Sequence, residues 1–304
     1  MNSNLLADNP RPTVAAPALR TKAELRTALE PARRQGLAIG LVPTMGYLHE
    51  GHLSLIRAAR AQCDLVVMSL FVNPTQFGPG EDLDRYPRDE ERDLRLAAEA
   101  GADLVFAPPV SEVYAPDAST AVEVAGPLTS VLDGDPARRG PEHFRGVATV
   151  VAKLFNVVGP DVAYFGQKDA QQAVVIRRMV RDLDFPVRIE VLPTVREADG
   201  LAMSSRNAYL EPADRERATA LSRALGAAER EARVGSLAAG LDAARRELAA
   251  AAIEPEYFEA RDAETLEPVE RLADRPVLVA VAARVGAARL IDNVLIRPTA
   301  SSDT

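Results

Sequence analysis

Residues 37–78 read LAIGLVPTMGYLHEGHLSLIRAARAQCDLVVMSLFVNPTQFG, and their texture changes twice. Leu37 to Val42 is an apolar run closed by Pro43, the pattern of a buried strand stopped by a breaker. From Leu53 onward the apolar positions recur every three to four residues, which predicts a helix. Asp64 to Val72 (DLVVMSLFV) reads as a second buried strand and stops at Asn73-Pro74. Strand, helix and strand in so short a span predict a parallel βαβ unit.

The series extends in both directions. A helix is predicted near Thr21 to Arg34, a charged helix from about Arg88 to Ala100, and a third buried strand at Asp103 to Phe106 before Pro108-Pro109. Residues 111–143 are Pro/Gly-rich and irregular. A helix at Gly146 to Val158, a strand at Val162 to Phe165, a helix at Ala170 to Leu183 and a strand at Val187 to Leu192 come next. Right-handed crossovers make such a sheet doubly wound. Beyond about Val195, Ala-rich amphipathic helices (Pro212 to Glu231, Ser236 to Ala252) precede strand-like runs near Tyr257, Val277 to Ala282 and Arg289 to Ile296. The expected class is α/β, a doubly wound, Rossmann-like parallel sheet with a smaller C-terminal α+β domain. The expected division is a flexible tail over 1–20, the Rossmann-like domain over 21–194 and the smaller domain over 195–304.

Composition narrows the function classes. With 304 residues, 47% hydrophobic and 26% charged, the chain can bury real cores. A net charge of -8 has the wrong sign for nucleic acid or an anionic membrane surface, so a phosphate site must be local. No apolar run approaches the ~20 residues of a membrane span, and the start lacks a signal peptide's pattern. The single cysteine, Cys63, excludes a disulfide framework and suits a reducing cytoplasm. Among 36 basic residues only Lys22, Lys153 and Lys168 are lysine, so a lysine in a motif marks a need for a compact point charge.

In an open α/β sheet, ligands bind beyond the carboxyl ends of the strands. After the first strand, Gly46 and Gly51 permit close backbone approach, and the next helix offers free N–H groups to an anion. His49 and His52 stand where they can donate to phosphate oxygens. A two-histidine zinc site is the rival reading, disfavoured because its usual partners are missing at helical spacing. After the second strand, the amides of Asn73 and Gln76 can read a hydroxyl or carboxylate. Glu81, Asp82 and Asp84 with Tyr86 suit either Mg²⁺ or, more simply, a solvated charged loop. In Gly166-Gln167-Lys168-Asp169, Asp169 is expected to cap the next helix, with Lys168 at its mouth and Gln172 on the same face. Met203-Ser204-Ser205-Arg206 supplies hydroxyls and a guanidinium in a loop able to close over a triphosphate.

These segments occur together and in order: PTMGYLHEGH, FVNPTQF, YPRD, HFRGVATVV, YFGQKDAQQ and VREADGLAMSSRN. They resemble the pantoate–β-alanine ligase (pantothenate synthetase) family, strongly over Leu41 to Leu210 and more weakly to the C-terminus. His49-Glu50-Gly51-His52 and Met203-Ser204-Ser205-Arg206 look like the paired signatures of the wider nucleotidylyltransferase superfamily. The resemblance implies ATP-dependent condensation of (R)-pantoate with β-alanine to pantothenate, AMP and pyrophosphate through a pantoyl adenylate, on the route to coenzyme A. It implies a cytoplasmic homodimer that requires Mg²⁺, held mainly by the ATP phosphates with no dedicated protein ligands. Carried over, Met45, Gly46, Tyr47, Leu48, His49, Glu50, Gly51 and His52 bind ATP, with Gly166, Gln167, Lys168, Asp169, Val195, Met203, Ser204, Ser205 and Arg206. Gln76 binds pantoate and β-alanine, Gln172 binds pantoate, and Asn73 stands beside them. His52, as proton donor, joins His49, Lys168 and Arg206 as a candidate catalytic residue, and 195–304 becomes a lid. Tyr47 stands where the family often has a small residue, and Gln167 where Glu is frequent. Two rivals are a nucleotidylyltransferase that keeps the nucleotide on its product and a non-catalytic nucleotide-binding module. A dinucleotide dehydrogenase is disfavoured because no G-x-G-x-x-G comes after the first strand.

Overall fold

The structure is a computed structural model that describes residues 15–298. Among these, β1 (Ala18–Leu19), β2 (Ile39–Thr44), β3 (Leu65–Leu70), β4 (Leu104–Phe106), β5 (Val162–Gly166) and β6 (Arg188–Leu192) form one parallel sheet. Their order is β1-β4-β3-β2-β5-β6. The intervening helices are α1 (Lys22–Arg34), α2 (Glu50–Gln62), α3 (Glu90–Ala100), the one-turn α4 (Val110–Val113), α5 (Pro141–Val158) and α6 (Ala170–Asp182). Helix α1 starts where the residues say it should: the Glu24 N–H donates to Thr21 Oγ1 and the Thr21 N–H to Glu24 Oε2, a reciprocal capping box.

Both faces of the sheet are covered, which is why its strands read as unbroken apolar runs rather than alternating ones. Leu41, Val67 and Phe165 pack under α1, α5 and α6, whereas Val42, Met68 and Tyr164 pack under α2 and α3. Consecutive residues of one strand thus enter opposite cores, as the period of two requires.

The strand order reverses between β2 and β5. Strand β2 pairs with β3 along its whole length but with β5 only at Gly40↔Val162 and Leu41↔Ala163. On its other edge β5 pairs with β6 along its whole length, from Val162↔Arg188 to Gly166↔Leu192. A crevice therefore opens beyond Leu41 and Ala163, at the topological switch point where ligands of such sheets bind.

After β6 come α7 (Pro212–Ala218), α8 (Ala220–Val234) and α9 (Leu237–Ala250), then an antiparallel sheet of β7 (Pro255–Asp262), β8 (Val277–Val285) and β9 (Ala288–Ile296). Alternate β8 residues divide its work. Val277, Val279 and Val281 face a core shared with α8 and α9. Leu278, Ala280 and Ala282 face Leu128, Leu132, Phe144 and Val174 of the first part of the chain. The second sheet is thereby seated against the crevice. The fold class is the expected one.

Three local readings change. The helix expected over Pro212 to Glu231 breaks at Thr219, whose hydroxyl donates to the Glu216 carbonyl, 2.6 Å, instead of leaving the backbone uncontested. Helix α5 begins at Pro141 rather than Gly146, with proline in the first turn where no N–H is needed. Of the expected tail, residues 1–14 lie outside the described residues, while Ala18–Leu19 is an edge strand on β4.

Candidate active site

The crevice is a cleft of about 240 Å³, and the segment after β2 makes one wall. Gly46 has φ 88° and Tyr47 φ 50°, a left-handed turn that swings the chain from strand to helix. At the φ of Gly46 any L side chain is strained, and a Cβ there would also lie 2.6 Å from Leu70 Cδ1, so glycine is favoured. His49 then caps α2. Its Nδ1 accepts from the Gly51 N–H (3.2 Å), and His52 Nδ1 accepts from the His49 N–H (3.4 Å). With both Nδ1 atoms acting as acceptors, each neutral ring carries its proton on Nε2. The rings lie 4.1 Å apart between centroids, and both residues line the cleft. Burial, with the Lys168 charge second, lowers His49 to about 4. Burial, then His49, then Lys168 hold His52 well below the usual histidine range. At neutral pH the pair is therefore two uncharged N–H donors. With Nδ1 occupied on both rings, the zinc reading loses its support.

Lys168 faces them from the turn after β5. The side chain of Asn293, on β9, locks this turn: its Nδ2 donates to the carbonyls of Gln167 and Lys168 (2.9 Å each), and its Oδ1 accepts from Gln167 Nε2 (3.0 Å). Asp169 occupies the N-cap position of α6, yet it makes no side-chain cap bond. The expected capping role is thus corrected. Its carboxylate stands 3.8 Å from Lys168 Nζ, in the cleft wall.

A third wall is the turn at 73–76. Asn73 is almost wholly buried, and its amide is fully committed: Nδ2 donates to Gln76 Oε1 (3.0 Å) and the Gly146 carbonyl (3.2 Å), while Oδ1 accepts from the hydroxyls of Thr75 (2.9 Å) and Tyr114 (2.8 Å). Asn73 itself lines the cleft, and through this network its amide aims Gln76. The Gln76 Nε2 has no partner among the described residues, and Gln76 lines the cleft. Helix α5 approaches this turn so closely that a Cβ on Gly146 would lie 2.3 Å from the Thr75 carbonyl. His143 donates from Nδ1 to the Gln76 carbonyl (2.7 Å), and Arg139 reaches His143 Nε2 (3.1 Å) and Glu81 (2.8 Å).

The Ser-Ser-Arg segment springs from a small hairpin in which the Met203 N–H donates to the Val195 carbonyl (3.0 Å). Ser204 Oγ accepts from the Arg206 N–H. The hydroxyls of Ser205 and Tyr86 meet at 3.2 Å, and Arg206 makes two bonds to Asp82. Burial raises the Asp82 carboxyl, but the Arg206 bonds and charge outweigh it and hold the group below its ordinary value. The solvated-loop reading of 81–86 is therefore corrected for Glu81, Asp82 and Tyr86, whereas Asp84 and Arg85 are exposed.

The cleft gathers Met45, His49, Gly51, His52, Gln76, Gly166, Lys168, Asp169, Gln172, Val195, Met203, Ser204, Ser205 and Arg206. Gly46, Tyr47 and Leu48 shape the loop from behind, Glu50 is exposed and paired with Arg57, and Gln167 is spent on Asn293. Residue patterns did not reveal Asp93, Asp133, Arg139 or Asn293. Only the HFRG run and the rarity of histidine pointed toward the 139–146 region. No group of three or more His, Cys, Asp or Glu among the described residues can hold a metal ion.

A doubly wound sheet with paired histidines at the helix after its central strand, and Ser-Ser-Arg facing them across the switch point, defines a nucleotide-binding α/β enzyme. The chain matches the pantoate–β-alanine ligase family over residues 17–295. It is 58% identical over 286 residues to a pantothenate synthetase of Moorella thermoacetica, covering 91% of this chain and 98% of that protein. It is 53% identical to one from Brucella canis, over 91% and 94%. A crystal structure of pantothenate synthetase from Thermus thermophilus superposes with a TM-score of 0.86 at 51% identity, over 93% of this chain and 100% of that one. A pantoate–β-alanine ligase of Francisella tularensis, crystallised with β,γ-ATP and β-alanine, superposes with a TM-score of 0.77 at 30% identity, over 94% and 99%. The chain belongs to the pantoate–β-alanine ligase family.

Proposed function

We propose that the chain condenses (R)-pantoate with β-alanine at the expense of ATP, releasing pantothenate, AMP and pyrophosphate, and that this occurs in the cytoplasm. The observation that carries this reading is the convergence on one cleft of two Nε2–H donors, a lysine and a Ser-Ser-Arg segment opposite the amides of Gln76 and Gln172. The first set suits a triphosphate. The second suits a small polar acid.

In the first half-reaction a pantoate carboxylate oxygen attacks the α-phosphorus and the bond to the β-phosphate oxygen breaks. Lys168, the His49 and His52 Nε2–H groups, the Ser204 and Ser205 hydroxyls and Arg206 stabilise charge on the departing pyrophosphate. His52 acts here as a hydrogen-bond donor rather than by giving up its proton. Gln76 and Gln172 hold the pantoate, so that attack is an oriented, effectively intramolecular step. In the second half-reaction the β-alanine amine attacks the acyl carbon, the bond from that carbon to the bridging oxygen breaks, AMP leaves with that oxygen, and the amine proton passes to solvent. The acidic groups nearest the cleft are mostly engaged by arginines, which fits a Mg²⁺ carried on the nucleotide phosphates beside Asp169, where it would neutralise charge on the leaving group. We take residues 21–194 as the ATP- and pantoate-binding domain and 195–304 as the lid that keeps water from the adenylate. The active form is taken to be a homodimer.

Product analysis tests the reading. Pyrophosphate and free AMP should appear together only when pantoate, β-alanine and ATP are all supplied. A stable nucleotidyl product, or ATP binding with no turnover, would favour the other members of the superfamily or a binding module.

A further inference from the structure

Asp93 is a charged side chain only 1% exposed, and no step above uses it. It lies one turn into α3, on the far side of the histidine loop from the cleft. Both of its oxygens are occupied by that loop: the Tyr47 N–H donates to Oδ2 and the Leu48 N–H to Oδ1, each at 2.7 Å. These distances are those of charge-assisted bonds. Two successive N–H groups in a left-handed turn form a concave nest that binds anions. Here the anion is built in. Arg92 grips the same turn beside Asp93, with Nη1 donating to the Leu48 carbonyl at 2.9 Å and standing 3.7 Å from Asp93 Oδ1, and its guanidinium over the Tyr47 ring.

This arrangement has two consequences. The amides of Tyr47 and Leu48 are unavailable to a phosphate, so the turn serves the nucleotide site through the residues it delivers to the cleft. The first of these is His49, whose amide fixes the tautomer of His52 and whose ring is fixed by Gly51. A non-glycine residue in the left-handed region is held only when its surroundings over-determine it. At Tyr47 the surroundings are Asp93 and Arg92.

Resting on the adenylation chemistry proposed above, we infer that Asp93 is a positioning residue for that step: it holds the 46–48 turn so that the His49 and His52 Nε2–H groups meet the leaving pyrophosphate. It touches no substrate and acts through the backbone of Tyr47 and Leu48. Burial pushes its carboxyl up from the ordinary aspartate range, and it stays raised although the two N–H groups draw it part of the way back.

The test separates the half-reactions. Asp93→Asn keeps the shape but turns an N–H against one of the two backbone donors. It should slow pyrophosphate release from ATP and pantoate at least tenfold, with the KM for ATP rising and that for pantoate unchanged. Amide formation from supplied pantoyl adenylate and β-alanine should stay within about twofold of wild type, because pyrophosphate is absent from it. Arg92→Ala, at a more exposed position, should show the same split at severalfold size. Equal rates for wild type and Asp93→Asn, or both half-reactions falling together, would overturn the inference. If Asp93→Asn does not fold, the presence or absence of the split in Arg92→Ala decides it. A wild type that releases no pyrophosphate would instead sink the functional reading itself.

Discussion

Arg206 and Asp82 meet as a two-bond pair, Nε at 3.0 Å and Nη2 at 2.9 Å from the two carboxylate oxygens, across 124 residues of chain. The pair pre-orients a guanidinium that would otherwise sample many rotamers, and Tyr86 holds the neighbouring Ser205 hydroxyl in the same way. Replacing Asp82 by Ala leaves Arg206 unpaired and unaimed, since truncating one partner of a partly buried pair strands the other. The KM for ATP should rise about tenfold, or ~1.4 kcal/mol. Initial-rate kinetics at varied ATP check this, and a fall in KM would show that the carboxylate competes with phosphate for the guanidinium.

Lys168 faces both histidines, and its charge helps keep them neutral. Among the described residues its side chain has only a long ion pair with Asp169 to lose. Lys168→Ala should therefore lower kcat for pyrophosphate release by roughly a hundred- to a thousandfold, the scale of losing one preorganised charge-stabilising group. The thermal midpoint should be unchanged. Near-normal turnover would refute the assignment.

Gln171 and Gln172 are neighbours with opposite tasks. Gln171 is buried, with Nε2 donating to the carbonyls of Leu128 (2.9 Å) and Val131 (2.8 Å) and Oε1 accepting from the Asp133 N–H (3.0 Å). Gln171→Ala should reduce stability by about 1–3 kcal/mol in denaturant titration, because buried polar groups are left unpaired. Gln172 lines the cleft without a partner among the described residues. Gln172→Ala should raise the KM for pantoate and leave stability alone.

His143 links pH to stability. Burial, with the Arg139 charge second, lowers its folded value to about 4, against about 6.5 when unfolded. The unfolded chain therefore binds the extra proton in between. The stabilisation is fully present above pH 6.5 and is lost as the pH falls toward 4, on the order of 3 kcal/mol for a shift of this size. Unfolding free energies measured across this window should fall more steeply for wild type than for His143→Gln. His49 and His52 titrate with the same sign in both proteins, so the difference isolates His143.

Features set by local spacing were legible in the residues: the buried strands of 37–78, the two glycines of the turn, the histidine pair, the lone lysine after β5 and the Ser-Ser-Arg run. Features set by distant partners were not. Asp93 sits in a charged helix and looks like a surface residue until the fold brings Tyr47 and Leu48 against it. Asn293 lies in a strand of the second sheet, 125 residues from the lysine turn it fixes. Asn73 reads as a substrate contact, but nothing in Asn-Pro-Thr-Gln says that Gly146 and Tyr114 will also engage its amide. Asp169 has the residue type of a helix cap but leaves the cap unmade. Glu81 and Asp82 read as solvated because their arginine partners are far away in sequence.

The most direct measurement tracks the oxygen atoms of pantoate. If its carboxylate attacks the α-phosphorus and the amine then attacks the acyl carbon, one carboxylate oxygen must leave with the nucleotide. With pantoate labelled with ¹⁸O at both carboxylate oxygens, mass spectrometry of the products should find one labelled oxygen in AMP and one in the amide carbonyl of pantothenate. Unlabelled AMP, with both labelled oxygens accounted for elsewhere, would contradict an acyl adenylate on this protein.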